Sequence, residues 1–244
     1  MCSIHRNQEL KYFSTILVVV FLATAVNAQQ TDPKQAELLV RHIEDFEISG
    51  DGSASPWEKA QWIPITKRNG NSKYETKAKL LYSDKGVYAF FTCTDSKITS
   101  TMKEDFSDLW KEDVVEIFFW PEESTRLYFE YELSPMNYEL SILCPNFNGE
   151  QYGWRPWHYE GARKTNHKTK IRKDTNGQVT GWSGELFIPF ALLKPLRNVP
   201  AKSGTKWRTN MYRIDYDEAE TYWTWQPVQS DFHDIERYGT LVFE

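Results

Sequence analysis

The chain has 244 residues, of which 40% are hydrophobic and 15% are aromatic. This composition provides enough apolar surface for a packed core and excludes a disordered or collagen-like chain. The formal net charge of −5 excludes the basic surface that binds a nucleic-acid backbone, so we expect no nucleic-acid partner.

The first predicted element is a signal peptide over residues 1–28. Arg6 and Lys11 precede an apolar run, and Val26 and Ala28 are the small residues of a cleavage site. The run is shorter than the roughly 20 residues that a membrane-spanning helix needs. We therefore expect a secreted or periplasmic protein, with no membrane insertion after the signal is cleaved.

Residues 29–41 are polar and predict a flexible N-terminal arm, and residues 42–244 predict a single domain. Within this domain β-favouring runs recur, separated by turn residues, and only 105–110 and 190–194 are typical of helical turns. The pattern predicts an all-β fold: an antiparallel β-sandwich of the immunoglobulin-like or jelly-roll type with few short helical turns. The predicted strands are 77–82, 87–94, 113–120, 127–134, 138–144, 168–173, 181–188, 206–215, 222–226 and 239–243.

Alternation within two of these strands separates a core face from a second face. In strand 113–120 the apolar residues Val115, Ile117 and Phe119 share one side, which is suited to the core. The opposite side carries carboxyl groups and aromatic rings. If this strand pairs with strand 127–134, the face away from the core presents together Glu116, Phe118, Tyr128, Glu130 and Glu132.

Two cysteines follow the predicted signal peptide, Cys93 and Cys144. In an oxidising compartment they could form a disulfide. Each also lies on the apolar face of a predicted strand, where a free cysteine packs as a small hydrophobic residue. Both interpretations stay open from the sequence.

Seven segments of the domain carry motifs in a definite order. They are Lys79–Phe91, Asp95, Leu109–Phe119, Tyr128–Pro135, Gly181–Phe190, Trp207–Arg213 and Phe232–Gly239. In this order the chain resembles the family nine carbohydrate-binding modules, over about residues 45–244. The resemblance implies a β-sandwich without catalytic residues that binds an oligo- or polysaccharide, for capture or degradation of polysaccharide. We expect it to be a monomer.

The same resemblance implies roles for individual residues. Trp110 stacks on a sugar ring, and Glu116 accepts hydrogen bonds from sugar hydroxyl groups. Phe232 takes the place of a second stacking tryptophan, and Ile235 replaces a proline of the family. Two polar residues of a further strand can reach the same face, Asn210 and Arg213.

The predicted sugar-binding function also has a chemical basis in the residue types. A pyranose presents C–H patches on its faces and hydroxyl groups at its rim, so its site needs flat aromatic rings and polar side chains. Trp154 and Trp157 lie in a loop-like stretch and could add an aromatic wall, or one of them could fill the space under the loop.

Two other functions stay open. A secreted glycoside hydrolase could use the strand carboxyl groups, because sugar hydrolysis needs two of them. An interaction module that has lost sugar binding would account for the departures at Phe232 and Ile235. No cofactor is expected, with structural calcium as the one option, and its candidate ligands are Asp95, Asp105, Asp108 and Asp113.

Overall fold

The computed structural model describes residues 35–70, 72–217 and 219–244, so the predicted signal peptide lies outside the described residues. Fourteen strands in this part of the chain confirm the all-β prediction. The strands are β1 (Glu37–His42), β2 (Ile63–Lys67), β3 (Thr76–Tyr82), β4 (Gly86–Thr94), β5 (Val114–Trp120), β6 (Leu127–Leu133), β7 (Glu139–Phe147), β8 (Glu150–Gln151), β9 (Arg155–Pro156), β10 (Asn166–Lys173), β11 (Val179–Pro189), β12 (Lys206–Asp215), β13 (Thr221–Thr224) and β14 (Gly239–Phe243).

The helical elements are short. The α-helix α1 (Phe190–Leu193) confirms the predicted turn at 190–194, and the predicted turn at 105–110 is a 3₁₀ turn at Leu109–Lys111. Within the described ranges, no helix has the length and apolar character to span a membrane. The other 3₁₀ turns of these ranges are Ser55–Lys59, Gly161–Arg163 and Ile235–Arg237.

The strands form one continuous, branched sheet with two sides. One side has the order β10-β11-β4-β3, the other has the order β14-β12-β5-β6-β7, and the neighbours within each side are antiparallel. β2 connects the sides by pairing with β3 and β13, and β1 connects them by pairing in parallel with β3 and β14. The sandwich type of this sheet stays a prediction.

The prediction of a flexible arm over residues 29–41 is wrong for the part that forms β1. Residues 37–41 belong to this strand, although the stretch 29–41 as a whole is mainly polar; the strand itself contains Leu38, Leu39 and Val40. The reason is alternation: Val40 is fully buried in the core while Leu39 next to it is 61% exposed. One buried side chain and two parallel ladders hold a segment that composition alone assigns to a flexible arm.

A main core of apolar side chains lies between the two sides of the sheet. Val115, Ile117 and Phe119 point into it, as their alternation predicts, and they share it with Trp182 and Trp207. Complete burial of a valine, isoleucine or phenylalanine side chain stabilises a fold by about 1.5 to 3 kcal/mol. The main core is the largest of the three apolar clusters of the described chain, so burial of apolar side chains stabilises the fold most there.

A second cluster covers the other face of β5 and β6. Phe118 and Tyr128 are fully buried there, beneath Leu109, Ile235 and Tyr238 from the connecting segments. The face away from the main core is thus not an open, solvated surface. Segments 102–110 and 228–238 close over it, and the strand carboxyl groups become buried.

The two cysteines lie in different clusters. Cys93 belongs to the main core and Cys144 to the second cluster, on opposite faces of the sheet, and both are free thiols. The disulfide interpretation is therefore wrong. Each cysteine packs as a small apolar residue, and burial raises the pKa of the Cys93 thiol to about 11.

Arg213 is fully buried at the main core and does not reach a ligand-binding face. Its Nη2 donates hydrogen bonds to Asp95 Oδ2 at 2.9 Å and to Asp215 Oδ2 at 2.5 Å. In the ladder between β12 and β5, Arg213 lies opposite Val115, whose side chain points into the main core. The prediction that Arg213 binds sugar is therefore wrong.

Asp113 completes an acidic cluster around Arg213. One oxygen from each of Asp95, Asp113 and Asp215 lies within 4.8 Å of the others. Asp113 accepts hydrogen bonds from the backbone N–H groups of Thr99 at 2.6 Å and of Tyr216 at 2.9 Å.

Two of the four predicted calcium ligands, Asp95 and Asp113, lie in this cluster. Asp105 instead accepts a hydrogen bond from the backbone of Glu139, and Asp108 pairs with Lys111 at 2.5 Å. Carboxylate oxygens suit calcium, but the guanidinium of Arg213 already supplies a positive charge to two of the three carboxylates. Bound calcium stays a prediction.

The burial of the cysteines predicts how their thiols react. In a Cys2→Ser variant, the thiol reagent DTNB should detect no thiol in the folded protein, because Cys93 and Cys144 are inaccessible. After unfolding in guanidinium without a reductant it should detect both. Unfolded protein without reactive thiols would reveal a disulfide and contradict the separate placement of the two residues.

The acidic cluster predicts how stability depends on pH. Burial raises the pKa of Asp95 and of Asp113 to about 7 each, above the ordinary value of 3.8. The folded protein therefore holds protons that the unfolded chain has released between pH 4 and 7. We expect the free energy of unfolding to fall as pH rises through this window, by at most about 1.4 kcal/mol per pH unit for each carboxyl group.

Urea unfolding at several pH values measures this slope. Asp113→Asn removes one of the buried carboxyl groups whose pKa is raised, so its slope should be flatter than that of the unchanged protein. Equal slopes would mean that Asp113 ionises normally in the folded state.

Candidate functional site

A pocket of about 650 Å³ lies over the outer face of β5 and β6, beside the second cluster. Carboxyl groups from these strands form its floor, and aromatic and polar side chains from five connecting segments form its walls. Its volume lies within the range of small-molecule sites, about 300 to 1,000 Å³.

Strand register places the acidic floor. Glu116 of β5 lies directly opposite Glu132 of β6, and Glu130 lies opposite Phe118, two residues along the same strand. Because residues two apart in a strand share a face, all three carboxyl groups point to the pocket. They are buried, with Glu116 2% exposed, Glu130 4% and Glu132 0%.

Burial and mutual repulsion control the ionisation of the floor. Burial raises the pKa of Glu116, and Glu130 raises it further. Burial also raises the pKa of Glu132, and both neighbouring glutamates add to the effect. For Glu130 burial again raises the pKa, but the His233 imidazole opposes it. Three neighbouring buried carboxyl groups share protons, so they do not all ionise together near neutral pH.

The three glutamates differ in their hydrogen-bond partners. The thiol of Cys144 donates to Glu130 Oε2 at 3.3 Å, and His233 Nδ1 lies 3.7 Å from the same oxygen. By distance and angle, neither carboxyl oxygen of Glu132 has a hydrogen-bond partner within the part of the chain that the structure describes, although Glu130 and the Trp110 backbone lie near enough to shift its pKa. A buried polar group without a partner costs about 1 to 3 kcal/mol, which a ligand that donates to Glu132 would recover.

Aromatic rings form the walls of the pocket. Trp110, from the 3₁₀ turn at Leu109–Lys111, is half-buried, and Trp154 is 42% exposed. Phe232 is also half-buried and stacks on Tyr212, with ring centroids 3.9 Å apart and an interplanar angle of 10°. The structure thus brings four of the predicted site residues into one pocket: Trp110, Glu116, Trp154 and Phe232.

Other predicted site residues lie elsewhere. Trp157 packs against the main core, and its Nε1 donates to the carbonyl oxygen of Leu192 at 2.8 Å. Asn210 shares the face of Phe118 but is fully buried, and its amide binds the backbone of Gln226 through both its nitrogen and its oxygen. Neither residue lines the pocket, so a sugar-binding role is wrong for both, as it is for Arg213.

Several lining residues escaped sequence reasoning. Arg68 and Asn69 follow β2, a strand whose short apolar run gives little signal. Glu220 and Asp231 lie in loops without a periodic pattern. His233 was detectable, because it follows Phe232 in a segment that already carries a predicted contact. The lining residues that were missed are Arg68, Asn69, Ile142, Gln151, Ile214, Glu220, Tyr222, Ser230, Asp231 and His233.

The pocket combines two kinds of recognition. Flat rings can contact the C–H faces of a cyclic ligand, and carboxyl groups can accept or donate hydrogen bonds according to their protonation. Hydrolysis of a glycoside needs one ionised carboxylate and one protonated acid in different environments. Here burial raises the pKa of all three glutamates, and His233 opposes that rise at Glu130, so the pocket alone does not separate binding from hydrolysis.

Solved structures share the fold. A proposed carbohydrate-binding protein from Bacteroides uniformis ATCC 8492 is 16% identical with a TM-score of 0.72, over 86% of this chain and 100% of that chain. A family nine carbohydrate-binding module from Caldicellulosiruptor kristjanssonii, in complex with cellotriose, is 16% identical with a TM-score of 0.63, over 86% of this chain and 94% of that one. A second family nine structure from that organism, in complex with glucose, is 15% identical with a TM-score of 0.61, over 86% and 96%.

Among curated proteins, no match to the chain was found. The family model described as "Carbohydrate family 9 binding domain-like" matches residues 48–244. This match covers β2 to β14 and every residue that lines the pocket. The chain therefore belongs to the carbohydrate family 9 binding domain-like family, as the order of its sequence motifs predicts.

Proposed function

We propose that the protein is an exported, non-catalytic β-sandwich module that binds an oligo- or polysaccharide in this pocket, for polysaccharide capture or degradation. The observation that carries the proposal is the joining of aromatic walls to a buried carboxyl floor in one pocket. The family membership and the cellotriose and glucose complexes of the similar structures support it.

Each part of the pocket has a role in this proposal. Trp110 and Trp154 offer flat surfaces to the C–H faces of sugar rings. Phe232 closes a third side, although one face of its ring already stacks on Tyr212. Glu116 and Glu132 bind hydroxyl groups at the floor, where the unpartnered oxygens of Glu132 need donors.

A hydrolase is the second candidate, because three carboxyl groups meet at one site. Release of reducing sugar from a polysaccharide, abolished by Glu116→Gln or Glu130→Gln, would favour it over simple binding. A module that has lost sugar binding would leave the pocket without any saccharide ligand.

The aromatic walls predict the effect of single substitutions on binding. Trp110→Ala should weaken saccharide binding by about 1 to 3 kcal/mol, since it removes a stacking surface. Trp154→Ala should weaken binding in the same direction. Calorimetric titration with cello-, xylo- and manno-oligosaccharides measures both.

Trp62→Ala is a matched control for Trp154→Ala. Trp62 is 41% exposed, close to the 42% of Trp154, but it does not line the pocket. Its replacement should leave the affinity unchanged. A folded Trp110→Ala variant with unchanged affinity would remove that residue from the binding site.

The export proposal makes a prediction about the mature N-terminus. If residues 1–28 are a signal peptide, protein recovered from outside the cytoplasm should begin at Gln29. Mass spectrometry of the exported protein measures this. Recovery of the chain with Met1 intact and only in the cytoplasm would contradict it.

A further inference from the structure

The charge of the pocket indicates which class of saccharide it can bind. Among the described residues that line it, five side chains are acidic and two, Arg68 and His233, can be positive. The acidic side chains are Glu116, Glu130, Glu132, Glu220 and Asp231.

Neither basic group neutralises the whole floor. His233 faces Glu130 at 3.7 Å and also binds the Tyr128 hydroxyl through Nδ1 at 2.6 Å. The Arg68 side chain donates to the carbonyl oxygen of Ser230 at 2.7 Å, at the rim. Among the ion pairs of the described residues, the floor takes part only through Glu130 with His233, so Glu116 and Glu132 have no basic partner there.

Glu132 supplies an independent observation that points to a ligand. It is 0% exposed, lines the pocket, and neither of its oxygens has a hydrogen-bond partner among the described residues. A buried group of this kind requires either a proton or a donor from outside the chain.

We propose that the pocket selects a saccharide with a free ammonium group, such as a 2-amino-2-deoxy sugar, over neutral sugars, and that it disfavours uronic acids. This inference rests on the proposed saccharide-binding function. An ammonium group carries three N–H donors and one positive charge, so it can bind Glu116 and Glu132 while they ionise. A uronate would add a like charge to the same floor.

Three β-1,4-linked trisaccharides that differ only at C2 test the proposal. They carry a hydroxyl group (cellotriose), an acetamide group, or an ammonium group. Calorimetric titration at slightly acidic pH, where the amine is protonated, should give a Kd about tenfold lower for the ammonium trimer than for the two neutral trimers. Glucuronic acid should bind more weakly than glucose.

Proton release provides a second readout. When an ammonium group binds, the floor carboxyl groups lose protons that they share in the free protein. The measured enthalpy should therefore depend on the ionisation enthalpy of the buffer for the ammonium trimer, and not for cellotriose. Raising the salt concentration should weaken binding of the ammonium trimer more than that of cellotriose.

Matched variants separate the charge of the floor from its shape. Glu132→Gln keeps the shape and should reduce the preference for the ammonium trimer to about threefold or less. Glu220→Gln at the exposed rim should also reduce the preference for the ammonium trimer, to a smaller extent. This variant provides the test if Glu132→Gln does not fold. Glu47→Gln removes one charge from an exposed position outside the pocket and should leave the preference unchanged.

The outcomes are distinguishable. If the ammonium and neutral trimers bind within about threefold of each other, the selectivity is overturned and saccharide binding stands. If neither the three trimers, glucose nor the wider oligosaccharide panel binds to the folded protein, the proposed function fails and the selectivity fails with it. Equal loss of preference in Glu47→Gln and Glu132→Gln would also overturn the role of the floor.

Discussion

The antiparallel ladder between β5 and β6 is the constraint on which both the core and the pocket depend. Its register places Ile117 opposite Tyr131 and Glu116 opposite Glu132. Alternation then sends the first pair into the main core and the second to the pocket floor. A shift of one residue would exchange the faces and drive glutamates into the apolar core, so packing and ligand chemistry favour the same register.

The pocket exists because connecting segments cover the outer face incompletely. Leu109 and Ile235 are buried with Phe118 in the second cluster and hold these segments in place. Trp110 and Phe232, which lie near them in the sequence, stay partly exposed. Buried carboxyl groups reduce stability, and apolar contacts of the second cluster offset that reduction. The site is therefore a feature of the sheet face and its cover together.

Sequence reasoning predicted the strands of the sheet well, because alternation and turn residues are local signals. It predicted the site only in part. Asn210 and Arg213 are three residues apart in β12, so they must point to opposite faces, and this parity argument could have excluded one of them beforehand. Which of Trp154 and Trp157 faces the pocket depends on the path of a loop, for which the sequence has no comparable rule. The burial of Glu130 and Glu132 depends on distant segments in the same way.

The pairing of β1 with β14 has a consequence for the order of folding. Residues 37–40 of β1 pair with residues 240–243 of β14 in one parallel ladder. Such a contact closes a loop of nearly the whole domain, and folds rich in long-range contacts form slowly. The ladder cannot form until β14 has left the ribosome. During synthesis β1 and β14 therefore stay apart, and β1 joins the two sides of the sheet only after β14 has been made.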